Sequence, residues 1–228
     1  ISGCEALLRW RHRTRGAISP NEFIPLAEET GLIYELGQWV LMQACEQIAI
    51  WNQNKNEEEQ LEISINLSSR QFSDPNLVEG IIGNIKESGF NAECLKLEIT
   101  ESALMQNAQR SVNMLNQLKN LNIKVCVDDF GTGYSSLSYL HTFPIDTLKI
   151  DRSFVHDMSR NYRNMEIIRT IIMLAHNLKL DVIAEGVETA EQYAQLSALG
   201  CQFAQGFYFA RPVNKDDATF LIRQNQKW

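Results

Sequence analysis

Seven short apolar runs each carry residues too polar for their surroundings. Glu5 interrupts Cys-Glu-Ala-Leu-Leu, Asn66 interrupts Ile-Ser-Ile-Asn-Leu, and Glu98 sits in Leu-Lys-Leu-Glu-Ile-Thr. Asp128 and Asp129 end Val-Cys-Val-Asp-Asp, Lys149 and Asp151 alternate with Leu148 and Ile150, Glu185 follows Val-Ile-Ala, and Gln205 sits in Phe-Ala-Gln-Gly-Phe. One buried carboxylate can be a satisfied structural group, but a series of them is too costly to accumulate without compensation. Carboxylates gathered at one place repel unless cations sit among them, and all-oxygen ligation selects hard ions such as Mg²⁺ or Mn²⁺. Two adjacent aspartates at a strand end could reach two ions, and a metal pair at about 3.5–4 Å suits in-line displacement at phosphorus. The chemistry expected from these residues is metal-assisted phosphodiester hydrolysis.

The elements that must position these side chains follow from periodicity. Candidate strands are Cys4–Trp10, Leu61–Leu67, Leu95–Thr100, Lys124–Phe130, Thr147–Asp151, Asp181–Gly186 and Gln202–Phe209. Between them lie helical patterns. Ser19, Pro20 and Glu22 offer an N-cap, a proline at the first helical position and a capping-box glutamate, with Gly31 as the stop. Pro75–Ser88 ends at Gly89, Arg163–Leu180 has a buried side of Ile167, Ile168, Ile171, Ile172 and Ala175, and Thr189 to Gln192 forms a second capping box closed by Gly200. Asn52–Gln60 reads as a polar, acidic loop. Alternating strands and helices imply a parallel sheet. The expected fold is an α/β, TIM-like (β/α) barrel forming one domain over residues 1–228, its first helix and strand upstream of Ile1; a doubly wound open sheet is the competing architecture. In a barrel, strand ends converge on one face, where enzymes of that fold keep their sites.

The net charge of −7 disfavours loose binding to polymeric nucleic acid. A small anionic phosphate remains a feasible ligand where bound cations reverse the local field. Cys4, Cys45, Cys94, Cys126 and Cys201 are odd in number, scattered and set among apolar neighbours. They read as small buried hydrophobes in a reducing compartment rather than as zinc ligands. The four histidines show no metal-ligand spacing. The longest apolar stretch, Ile167 to Ala175, contains Arg169 and is too short to cross a bilayer. The chain therefore reads as a cytoplasmic piece of a longer protein, whose other parts could anchor it to a membrane.

With these residues in view the chain resembles the EAL family of cyclic di-GMP phosphodiesterases. The resemblance is carried, in order, by Glu5-Ala6-Leu7 running on to Leu8-Arg9-Trp10, by Asn66-Leu67-Ser68, by Glu98-Ile99-Thr100-Glu101, and by Asp128-Asp129-Phe130-Gly131-Thr132-Gly133-Tyr134-Ser135-Ser136-Leu137. Leu148-Lys149-Ile150-Asp151, Ala184-Glu185-Gly186-Val187-Glu188 and Gln205-Gly206-Phe207-Tyr208-Phe209 complete it. It implies hydrolysis of cyclic di-GMP to linear pGpG with two ions, Mg²⁺ or Mn²⁺. Glu5, Asn66, Glu98 and Asp128 would hold one ion; Asp128, Asp129 and Glu185 would hold the other. Lys149, Glu185 and Glu188 are implied in catalysis, Arg9, Asp151 and Gln205 in substrate binding, and Glu101 in anchoring the segment from Asp129 to Leu137. Among so many carboxylates Lys149 is expected to stay protonated and to orient the attacking water; only metals that neutralise those carboxylates would make it a base, and the sequence does not fix which group takes the proton. Glu188 also sits just before a helix, where its charge suits the helix dipole. The resemblance further implies a homodimer, and the parent protein could carry regulatory or cyclase domains. Family members carry a helix, a strand and a Gln-Pro pair ahead of Glu5 that do not occur here. A non-catalytic receptor for the same nucleotide is the alternative.

Overall fold

The computed structural model describes residues 1–133 and 140–224. Tyr134 to Leu137, part of the long motif after Asp128, lie outside the described residues. The chain forms two compact units, Ile1–Glu98 with Asn120–Ile123, and Ile99–Lys119 with Lys124–Trp228.

The first unit contains β1 (Gly3–Ala6), β2 (Trp10–His12), β3 (Gly16–Ile18), α1 (Pro20–Thr30), α2 (Ile33–Asn52), β4 (Glu62–Leu67), α3 (Ser69–Phe72), α4 (Leu77–Ser88) and β5 (Leu95–Thr100) up to Glu98. β1 pairs with β4 in parallel, setting Glu5 against Ser64, and β5 follows β4 in the sheet. Side chains alternate across a strand. On β4, Ile63, Ile65 and Leu67 are buried while Glu62, Ser64 and Asn66 take the other face. On β5, Leu95, Leu97 and Ile99 are fully buried and alternate with Lys96 and Glu98. The expected strand Cys4–Trp10 is shorter. It ends at Ala6, and Trp10 belongs instead to a two-stranded antiparallel ribbon, β2 with β3.

The second unit contains α5 (Glu101–Met105), α6 (Ala108–Lys119), β6 (Lys124–Phe130), β7 (Thr147–Ile150), α7 (Arg152–His156), α8 (Tyr162–Asn177), β8 (Asp181–Ala184), α9 (Ala190–Ala198), β9 (Phe203–Ala204) and α10 (Lys215–Gln224). β6, β7, β8 and β9 are neighbours in that order, and each pair runs parallel. Val125, Val127, Leu148, Ile150, Val182 and Ala184 are fully buried on these strands. The strand expected over Gln202–Phe209 contracts to Phe203–Ala204, because the chain turns at Gly206. There a Cβ would lie 2.2 Å from the Val187 carbonyl oxygen.

The end signals behave as side-chain chemistry requires, with one exception. Ser19 accepts from the Asn21 amide and Gly31 closes α1 at φ 80°, but Glu22 pairs with Arg15 at 2.6 Å instead of completing a capping box. Thr189 and Gln192 do form one, and the Gln192 amide also donates to the carbonyls of Val155 and His156. The expected helix Pro75–Ser88 starts at Leu77, and Arg163–Leu180 spans Tyr162–Asn177. The twenty-residue α2 went unmarked by periodicity because Trp39 and Ile50 face solvent and blur its apolar stripe.

Asp146 fastens the entry to β7. Its carboxylate takes the Lys119 ammonium at 2.6 Å and the Val125 amide at 2.8 Å, while its carbonyl accepts from the Asp181 amide. The Lys119 and Asp146 side chains are 39% and 25% exposed, so water screens the ion pair and the amide bond is the stronger contribution. Asp146→Ala is expected to cost about 1–3 kcal/mol by leaving a buried donor without its acceptor. Lys119→Met is expected to cost less than about 1 kcal/mol. Urea denaturation of the two variants measures both; equal losses would show that the ion pair is the main contact.

Candidate active site

Two groups of side chains form at the C-terminal ends of the strands, one in each unit. In the first, the Asn66 amide donates to Glu5 at 2.6 Å, and Glu98 is buried at 2% exposure. Beneath them on the same faces Lys96 pairs with Glu62 at 2.8 Å. Lys96 is almost wholly buried, and the sequence marks this pair only faintly. Its only signal is a lysine in phase with Glu98 on an apolar strand.

The second group surrounds Lys149. Its side chain is 1% exposed, with the ammonium 2.5 Å from Glu185 and 3.6 Å from Asp128. Asp128, Asp129 and Glu185 each offer a carboxylate oxygen, and the three oxygens lie within 4.8 Å of one another. Such a set of hard oxygen donors fits a divalent cation of the magnesium type. A register shift between Val127 and Phe130 interrupts the pairing of β6 with β7 at this point, and Asp129 has φ +54°. A bulge of this kind re-aims side chains next to a site, and a left-handed backbone at a non-glycine residue marks local strain. The Asp129 amide donates to Asp128 at 3.0 Å. Burial raises the Asp129 carboxyl above its ordinary 3.8; the charges of Asp128 and Asp151 and a hydrogen bond shared with Asp151 push the same way, and Lys149 opposes them.

The remaining expected residues are held by contacts of their own. Asp151 caps α7, accepting from the Ser153 amide at 2.9 Å and from the Ser153 hydroxyl. Glu101 is buried, and one of its oxygens accepts from the Gly131 amide at 3.3 Å. Glu188 is exposed one residue before the Thr189 cap, and its own amide donates to Gln192. The Gln205 backbone joins Ala184 and Val187. Arg9 is exposed and donates to the Leu8 carbonyl at 3.0 Å; among the described residues it meets no carboxylate.

Parallel strands alternating with helices, and a lysine buried among carboxylates at the strand ends, define an α/β protein of the TIM-like (β/α) barrel class. Its site is built for charge. Within that class the chain belongs to the EAL domain family, whose model matches residues 1–212. It is 42% identical to the bifunctional diguanylate cyclase/cyclic di-GMP phosphodiesterase MucR of Pseudomonas aeruginosa, over 92% of this chain and 30% of that protein. It is also 42% identical to the cyclic di-GMP phosphodiesterase NbdA of the same species, over 92% of this chain and 26% of that one. The chain thus spans about a third or less of these curated relatives. A solved structure of the PaMucR phosphodiesterase in complex with c-di-GMP superposes with a TM-score of 0.91 at 40% identity, covering 96% of this chain and 87% of that one. No described helix is long and apolar enough to cross a membrane.

The Asp129 shift has a sign that can be measured. A carboxyl whose folded pKa is raised binds its proton more tightly in the native chain, so stability falls as pH rises from about the ordinary value through the folded pKa. Asp129→Asn removes that cost and keeps a side chain tolerant of positive φ. In metal-free buffer the variant is expected to raise the urea midpoint at neutral pH and to show no gain below the ordinary 3.8. An unchanged midpoint at neutral pH would mean that the cluster imposes no such penalty.

Proposed function

We propose that this chain is the catalytic domain of a divalent-metal-dependent phosphodiesterase that opens cyclic di-GMP to linear pGpG. The observation that carries the reading is the convergence of Asp128, Asp129 and Glu185 around the buried Lys149 in a member of this family. Glu5, Asn66 and Glu98, with Asp128, are assigned to one ion; Asp128, Asp129 and Glu185 are assigned to the other. Mg²⁺ or Mn²⁺ is the proposed pair, and when bound such ions acidify water and polarise a phosphoryl oxygen. Water oxygen attacks phosphorus, the bond from phosphorus to the ribose 3′ oxygen breaks, and that oxygen leaves as a hydroxyl carrying a proton.

The protein's own groups divide the remaining work. Lys149 is held at fixed distances from two carboxylates, so its ammonium can orient the attacking water from one direction, with Glu185 beside it. Glu188, which is exposed to solvent, is assigned a supporting role in catalysis. Arg9 is assigned to a substrate phosphate, and Asp151 and Gln205 to polar groups of the nucleotide. Glu101 is assigned to holding the segment from Asp129 to Leu137 through its bond to Gly131. Cytoplasmic location, a homodimer, and regulatory or cyclase domains elsewhere in the parent protein belong to the same proposal.

Cyclic di-GMP incubated with the chain and Mg²⁺ or Mn²⁺ is expected to yield pGpG by chromatography, and none in excess chelator. Full turnover in chelator overturns the metal requirement. Tight binding with no product in any metal supports a non-catalytic receptor instead.

Lys149→Met keeps the apolar stem and removes the cation. It is expected to lower kcat on the order of a hundredfold, the usual effect of losing a positioned proton-handling group. Affinity measured in Ca²⁺ should change far less. Loss of affinity in proportion to rate would make Lys149 a phosphate-binding residue.

A further inference from the structure

Arg9, Arg11, Arg13 and Arg15 fall within seven residues that contain no acidic side chain, in a chain of net charge −7. They lie on and around the ribbon of β2 and β3, in which Trp10 pairs with Ile18, Arg11 with Ala17 and His12 with Gly16. Alternation gives the ribbon two faces. Trp10 packs edge-on against Phe23 of α1 at 5.8 Å and against His12 at 5.9 Å, which fixes one face on the helix. The His12 Nδ1 accepts from the amides of Thr14 and Arg15 at 3.2 and 3.3 Å, and Gly16 takes φ +77°, so the turn is held by its own hydrogen bonds.

The four guanidinium groups are not equivalent. Arg15 is tied to Glu22 at 2.6 Å, and Arg9 donates to the Leu8 carbonyl. Arg11 and Arg13 are exposed and have no partner among the described residues, although the chain carries 28 acidic side chains. The ribbon begins where β1 ends, and within this unit Glu5, Asn66 and Glu98 stand at the same C-terminal strand ends.

Bound cations would reverse the field only at the acidic site itself, and over the rest of an acidic protein an anionic ligand is repelled unless a local positive surface intervenes. Exposed charges act over about 8 Å at physiological ionic strength, so the sign of the nearest surface outweighs the net charge. We propose that Arg11 and Arg13 form an anion-capture surface that draws the phosphates of the cyclic dinucleotide toward the site beside Arg9. They speed association and take no part in the chemical step. The inference rests on the substrate reading given above. Fixed charges beside a cleft raise on-rates by about 10–10³-fold at low salt, and the gain falls with ionic strength.

The test is stopped-flow association of a fluorescently labelled cyclic di-GMP with the whole chain in Ca²⁺ buffer, across a series of NaCl concentrations. Arg11→Gln/Arg13→Gln is expected to slow association about tenfold at low salt and to flatten its salt dependence. Dissociation, and kcat measured separately with Mg²⁺, should stay within about twofold of the parent. Lys55→Gln/Lys86→Gln removes the same charge away from the ribbon and should leave the association rate unchanged. Wild-type association and salt slope in the arginine variant would overturn the capture role. So would an equal slowing in the lysine variant, which would trace the effect to net charge. A chain that binds no cyclic dinucleotide would overturn the substrate reading itself, an outcome distinct from normal binding without steering.

Discussion

The ammonium of Lys149 is almost completely removed from water, and its charge is balanced by Glu185 at 2.5 Å and Asp128 at 3.6 Å. Stripping an ion of solvent costs several kcal/mol, and removing one partner of a buried pair typically costs about 3–5 kcal/mol. Lys149 therefore constrains three strands at once. β7 must present Lys149 on the face where β6 brings Asp128 and β8 brings Glu185. The parallel register of Lys149 with Ile183 and of Ile150 with Ala184 satisfies this. A slip by one residue would send the lysine to the outer face among the helices and strand the carboxylates. The all-aliphatic outer faces of the same strands make that slip doubly unfavourable.

Given that arrangement, the irregularity at the end of β6 has a physical meaning. Regular pairing would point Asp128 and Asp129 to opposite faces of the sheet. The register shift and the positive φ at Asp129 instead let both carboxylates join Glu185 in one cluster. The strain and the crowding of like charge are both unfavourable in the chain alone. A cation in the cluster would relieve the crowding of charge and offset the strain, which is the usual reason such arrangements persist at functional sites.

Charge is also segregated along the chain. Acidic groups gather at the strand ends, and a run of arginines stands on the ribbon that leaves β1. In Arg9, Arg11, Arg13 and Arg15 the same residue type serves different purposes, set by local geometry. Arg15 meets Glu22 of α1 and Trp10 packs edge-on against Phe23 of the same helix, so two contacts join the ribbon to α1.

Much of this was legible in the residues themselves. Alternation fixes which side chains share a strand face, so the phase of Glu98 against Leu97, or of Lys149 against Leu148, already marks an inner polar face without coordinates. Cap chemistry is equally local, and Thr189 with Gln192 capped the start of α9 as their spacing required. Strand lengths were not legible. Cys4–Trp10 broke at Ala6 and Gln202–Phe209 shrank to two residues, because pairing partners and the close approach of Gly206 to Val187 decide where a strand stops. Glu22 turning to Arg15, Lys96 meeting Glu62 and the bulge that gathers Asp128 with Asp129 were decided by tertiary structure alone. Sequence determines periodicity and local capping because those depend on neighbours a few residues away. Charge pairing between distant residues depends on distances that only the folded chain sets.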